Sequence, residues 1–251
     1  MIMRIFIIFR PGHENQVLTP YTIQDRHPFR IRDLHRLDPD DILPRHVYAQ
    51  CRREWVSRVS DYLRKRRVRL SANVSLLFEN ALTVWHQVQE VLYWETSNDK
   101  AGHSRIREEL DIYRALLPTP SRLAATLFVD GGSRETGLAI GEALASGQSS
   151  IGLVIGDAVI RAGLADPDPD LAEPVKFLHF DLTRADRQTV LAGGPVSVWN
   201  VEAEKRLTHS LHAQTVSLLA DDIKSGGRQA LLFERTGSTG KDENSHRSSN
   251  W

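Results

Sequence analysis

An α+β fold, a mostly antiparallel sheet with helices packed on it, is what this sequence predicts. Three observations carry that expectation. Short apolar runs of strand length are interleaved with stretches of helical period. Turn signals such as Gly156-Asp157 separate neighbouring runs at hairpin distance. No regular strand–helix–strand alternation marks a parallel sheet. With 251 residues, 41% hydrophobic and 25% charged, the chain has the composition to fill a core. Lys plus Arg and Asp plus Glu both total 32, so no net field draws the whole molecule to nucleic acid or an anionic membrane.

Composition divides the chain into three parts. Residues 1–35 are rich in Pro, His and Arg and read as an N-terminal helical extension whose details the pattern leaves open. Residues 36–224 read as a single α+β domain. Residues 225–251 hold mostly Gly, Ser and charge, the signature of a disordered tail. The apolar run Ile5 to Phe9 is too short for a signal-peptide core, and no stretch has the length to span a bilayer. The single cysteine, Cys51, excludes an intrachain disulfide and fits a reducing compartment. The expectation is a cytoplasmic protein.

Within the central part, Asp38 with Pro39, Asp40 and Asp41 reads as a helix start. Val47, Trp55, Val59, Tyr62 and Leu63 recur at helical spacing and predict a helix over 47–66. Val68–Glu79 predicts two strands turning at Ser71–Asn73. Leu82, Trp85, Val88, Val91 and Leu92 predict the buried stripe of a helix over 81–96. A helix over 105–116 stops at Pro118. Beyond it the pattern predicts a strand at 123–129, a helix at 135–145 and a hairpin over 150–161. A strand at 175–182 follows, with Phe177, His179 and Asp181 on one face. Then come a helix capped by Thr183, a hairpin over 195–212 and a last helix at 218–223.

Candidate chemistry gathers at residues 64–90. Arg64, Lys65, Arg66, Arg67 and Arg69 form a basic run that offers phosphate contacts to nucleic acid, although its cations scatter around the helix instead of forming a stripe. His86 and Glu90 stand four residues apart on one helix face. With Glu79 or another acid as third ligand they would suit a transition metal, and an exposed polar helix face explains them as well. No cofactor is predicted. The binding residues singled out are Arg66, Arg67, Glu79, His86, Gln87, Gln89 and Glu90. His179 with Asp181, and the glycine turn Gly131-Gly132-Ser133, are weaker candidates for acid–base chemistry and anion binding.

Several short matches then appear in order: Arg66-Arg-Val-Arg-Leu70, Ser75-Leu-Leu-Phe-Glu79, Gln87-Val-Gln-Glu90, Glu108-Glu-Leu-Asp111, Ala125-Thr-Leu127 and Phe177-Leu-His-Phe180. Over residues 36–224 the chain resembles a bacterial domain-of-unknown-function family, DUF3501. The resemblance implies genes beside a rubrerythrin-like di-iron protein and an iron–sulfur oxidoreductase, hence one of these as protein partner. The leading expectation is an accessory or binding protein of a redox or oxidative-stress module. Its groups over 79–95 would face outward to meet that partner. A metal-dependent enzyme using His86, Glu90 and Glu79 is the second expectation, and nucleic-acid binding through Arg64–Arg69 the third.

Overall fold

The computed structural model describes residues 35–95, 103–130, 134–165, 170–202 and 205–224. The predicted extension, tail and glycine turn lie outside the described residues, except for His35. Six helices are present among them: α1 (Arg45–Arg66), α2 (Ala81–Glu95), α3 (His103–Tyr113), α4 (Arg134–Ala145), α5 (Arg184–Leu191) and α6 (Ala213–Ile223). Among the same described residues, nine strands form two sheets. The first runs β1 (Arg67–Arg69), β2 (Val74–Glu79), β3 (Arg122–Val129), β7 (Val175–Asp181), β6 (Gly163–Leu164). The second runs β5 (Ala158–Arg161), β4 (Ile151–Ile155), β8 (Val196–Glu202), β9 (Lys205–Ser210). Every pairing is antiparallel, so the chain is a mixed α+β fold, as its pattern predicts.

The first sheet has a core on each face. Leu76 and Phe78 of β2, Leu123, Ala125 and Leu127 of β3, and Leu178 and Phe180 of β7 join Ile151, Leu153, Val196 and Val198 of the second sheet and the apolar faces of α4–α6. The alternate residues Val175 and Phe177 join α1, α2 and α3 in a second core. The period of two along each strand therefore sorts side chains between two different environments. In the helical core Trp55 and Trp85 meet edge-on at 4.7 Å, and Tyr48 meets Trp85 at 5.9 Å. Such contacts add to the burial of large rings.

Local chemistry explains most element ends. Asn80 Oδ1 accepts from the Leu82 and Thr83 amides, capping α2, while the Asn80 amide donates to Thr83 Oγ1 at 2.9 Å. Thr183 and Asp186 form the reciprocal cap of α5. Gly156 takes φ +56° at the β4–β5 turn, a conformation that favours glycine. Gly152 lies opposite Trp199, where an added Cβ would stand 2.1 Å from Ile160 O and 2.5 Å from the indole nitrogen.

Three boundaries differ from expectation. Asp38 caps a single 3-10 turn over Pro39–Asp41, its amide donating to Asp41 Oδ2, and the chain extends again at Ile42. Leu43 is instead held by Gln89, and α1 starts at Arg45. The last helix begins at Ala213, five residues before the predicted start, because Ala213–Ser217 carry a weak apolar signal. The strand Gly163–Leu164 is too short for any periodicity to show.

One buried polar node ties these layers together. Arg66 at the end of α1 is fully buried and forms an ion pair with Asp222 of α6. Its Nε donates to Phe78 O at 2.8 Å and its Nη1 to Tyr62 Oη at 3.2 Å. Asn80 Nδ2 donates to Tyr62 Oη and to Asp222 Oδ1, at 2.8 and 2.9 Å. His35 Nε2 lies 2.6 Å from Asp222 O. Truncating one partner strands the other charge in a dry core. Asp222→Ala should cost about 3–5 kcal/mol by chemical denaturation, and the apolar pair Arg66→Met with Asp222→Leu should recover part of that loss. A single-mutant cost near zero would show that water reaches the node.

Candidate functional site

The polar residues of α2 are not a solvent-facing stripe. Eleven of its fifteen residues are buried, among them His86, Gln89 and Glu90. This overturns the expectation that the groups over 79–95 face outward. The reason is packing from two sides. The first sheet covers one flank of α2, and α1 with residues 38–44 covers the other. Trp85 Nε1 donates to Asp41 O at 2.7 Å, and Gln89 exchanges two hydrogen bonds with the Leu43 backbone, at 2.9 and 3.1 Å. Gln89 therefore serves as a clasp between segments.

Glu90 is held by three side chains. Arg52 Nε and Nη2 donate to its two oxygens at 2.8 and 2.7 Å, and Tyr48 Oη donates to Oε1 at 2.6 Å. Trp94 Nε1 lies 3.4 Å from Oε2. Burial alone would raise this carboxyl, but the Arg52 and Tyr48 donors outweigh it and hold Glu90 below the usual carboxylate range.

Between α2 and the first sheet lies a cavity of about 90 Å³. Glu79, Thr83, His86, Gln87 and Glu90 reach it from β2 and α2, Arg67 from β1, and Thr126 from β3. Leu63, Leu77, Leu116, Phe128, Phe177 and others supply carbon walls. Strand register explains the convergence. Leu77 pairs with Arg67 on one side and Thr126 on the other, and Thr126 pairs with Phe177. All four side chains thus share the sheet face that α2 covers.

The polar lining is unevenly satisfied. Glu79 is buried and accepts from Thr126 Oγ1 at 2.7 Å. Burial pushes its carboxyl above the usual range, against hydrogen bonds from Thr83 and Thr126 and the cations Arg66 and Arg67. Arg67, the exposed charged member of the lining, donates from Nη1 to Ser75 Oγ at 3.1 Å. Its guanidinium lies 4.6 Å from the Phe128 ring centre. Burial lowers the Arg67 pKa. His86 is only 9% exposed, and among the described residues neither its Nδ1 nor Gln87 Nε2 has a hydrogen-bond partner. Burial depresses the His86 imidazole from 6.5 to about 4, so it is neutral at physiological pH.

Of the seven binding residues singled out from sequence, Arg67, Glu79, His86, Gln87 and Glu90 line this one cavity. Arg66 lies in the buried node and Gln89 in the clasp. His179 shares the covered face of the sheet but stands opposite Ala124, which separates it from Glu79 by one strand. Its Nε2 is 3.6 Å from Asp181, which pairs with Arg122 at 2.6 Å. Cys51 donates weakly to the helix carbonyls of Val47 and Tyr48. Among the described residues, no group of three or more His, Cys, Asp or Glu side chains is arranged to hold a metal ion, and no helix is long and apolar enough to cross a membrane. The basic run is dispersed. Arg64 pairs with Asp61, Arg66 is buried, and Arg69 donates to the Ser71 and Ala72 carbonyls.

Sequence reasoning missed Thr83, Thr126, Asn80 and Asp222. Asn80 carried a signal, an amide side chain directly before an apolar helix. Asp222 carried another, an acid beside Ile223 and three residues after Leu219 on a helix face that is otherwise apolar. Thr126 carried none, because its role depends on pairing across strands, and Thr83 acts from the first turn of α2 on Asn80 and Glu79 just before it.

A model of the family described as "Protein of unknown function (DUF3501)" matches residues 36–223. A crystal structure of a novel protein of unknown function from Burkholderia pseudomallei K96243 is similar, with a TM-score of 0.65 and 27% identity, over 75% of this chain and 99% of that one. No curated protein matches the chain.

The neutral His86 has a pH consequence. Between about 4 and 6.5 the unfolded chain binds a proton at His86 that the folded chain refuses. Stability therefore falls as pH drops through that window, by on the order of 3 kcal/mol from this residue. Glu79, with its raised carboxyl, acts in the opposite direction. Denaturation of wild type against His86→Leu should show the loss in wild type alone, and an NMR titration should leave the His86 ring neutral down to about pH 4. A ring that titrated near 6.5 would mean that the cavity is open to bulk water.

Proposed function

The chain belongs to the DUF3501 family, whose description assigns no activity, and we propose on that premise that it is an accessory protein that acts by binding a small molecule in the cavity beneath α2. One observation carries this reading. Two buried polar atoms, His86 Nδ1 and Gln87 Nε2, have no partner among the described residues, and both side chains line the same small opening. A buried polar group left unpaired costs about 1–3 kcal/mol, so a bound molecule that satisfies both recovers that cost. Arg67, Glu79, His86 and Gln87 are the binding residues of this proposal. Glu90, Gln89 and Arg66 position them.

The association with a rubrerythrin-like or iron–sulfur oxidoreductase partner rests on the family resemblance, and one surface feature favours a docking face. Trp94 is 60% exposed at the end of α2. Tyr93 beside it has the Arg45 and Arg52 guanidinium groups each 5.0 Å from its ring centre. Exposed Trp with Tyr and Arg is the composition of interface anchors.

Two measurements test these readings. Short-chain alcohols, amides and carboxylates titrated into the isotope-labelled protein should include at least one class that shifts the His86 and Gln87 signals. His86→Phe, which fills the space, should abolish that shift. If no class perturbs these signals, the cavity is not a binding site. For the docking face, Trp94→Ala should weaken association with a purified rubrerythrin-like protein by about tenfold or more, and unchanged association would remove Trp94 from that interface.

A further inference from the structure

Resting on the reading that this cavity holds a small molecule, we propose that its ligand is a short monocarboxylate. The carboxylate would meet Arg67 and Gln87, and the alkyl part would lie against Leu77, Phe128 and Phe177.

The charge inventory around the cavity leads to this class. Glu90 is compensated by Arg52, and Arg66 by Asp222. Arg67 and Glu79 are the remaining charged groups of the lining, and among the described residues no ion pair joins them. The direct partners of Arg67 are a neutral hydroxyl, Ser75, and a neutral ring, Phe128. Glu79 and Asp130 act on it through space, without a direct ion pair, and a partly desolvated guanidinium whose direct partners are neutral can receive an anion, its planar fork fitting two carboxylate oxygens. Glu79 opposes an anion only when ionised. Burial raises its carboxyl, against the Thr83 and Thr126 hydroxyls and the through-space action of Arg66 and Arg67.

The remaining donors agree. Gln87 lines the same opening and its Nε2 has no partner among the described residues, and His86 Nδ1 offers a further site whose tautomer adapts to what it meets. The walls decide between carboxylate and inorganic oxyanion. Most of the lining surface is carbon, which suits an alkyl group better than the outer oxygens of a phosphate. The lining has a single cation without a direct ion pair, which sets the charge at one, because a second carboxylate would be buried unpaired. The volume, about 90 Å³, sets a chain of a few carbons.

The experiment uses the full chain with three probes: propionate, its neutral isostere propionamide, and inorganic phosphate. Binding is read by calorimetry and by the shifts of His86 and Gln87. Propionate should bind tightest and shift both residues. Arg67→Met should weaken it by about tenfold or more while leaving propionamide unchanged. Arg67 touches solvent, so this variant retains the fold, and near-UV circular dichroism verifies it. Gln87→Leu provides a second loss that does not involve charge. Propionamide binding as well as propionate, with Arg67→Met silent, would overturn the carboxylate assignment and leave the cavity as a binding site. Phosphate displacing propionate would overturn the assignment in favour of an inorganic anion. No shift with any of the three probes would overturn the carboxylate assignment, and silence from the short-chain alcohols and amides as well would take the binding reading with it.

Discussion

The buried pair Arg66–Asp222 is the constraint from which the rest of the arrangement follows. It joins the last turn of α1 to α6, and through Asn80 it reaches the first turn of α2. A charge pair this dry is a poor source of net stability, because the desolvation cost consumes most of the Coulomb gain. Its value lies in direction. A guanidinium that must meet Asp222, Phe78 O and Tyr62 Oη together has few orientations available. With Arg66 so fixed, the chain passes straight into β1. The next side chain, Arg67, is then delivered to the opposite environment, at the rim of the cavity.

That junction also explains why the site combines satisfied and unsatisfied groups. Glu90, Gln89 and Asn80 each spend their hydrogen-bonding capacity on neighbouring elements. His86 and Gln87 lie between them along α2, turned toward the sheet, where the facing residues are Leu77, Thr126 and Phe128. Only Thr126 among those three carries a polar atom, and it donates to Glu79.

Much of the architecture was legible in the sequence. The helix at 81–95 and the strands at 74–79, 122–129 and 175–181 follow from periodicity, and the cap at Thr183 follows from its Asp186 partner. What was not legible was burial. His86, Gln89 and Glu90 sit at spacings that read equally as a polar surface, because a helix covered on both flanks leaves the same periodic trace as one covered on a single flank. The second cover comes from Asp41 and Leu43, whose contacts to Trp85 and Gln89 span more than forty residues and have no local signal. The partners Thr126 and Asp222 were missed for the same reason, being 47 and 156 residues from Glu79 and Arg66.

The alternation along the first sheet has a consequence for how such a protein can diverge. On β2 and β3, Leu76, Phe78, Ala125 and Leu127 hold the two sheets together, while Leu77, Thr126 and Phe128, interleaved with them, shape the cavity. Cavity shape and foldability are therefore written in alternate letters of the same strands. A substitution at one set leaves the other in place, so the cavity can be reshaped without the scaffold being rebuilt.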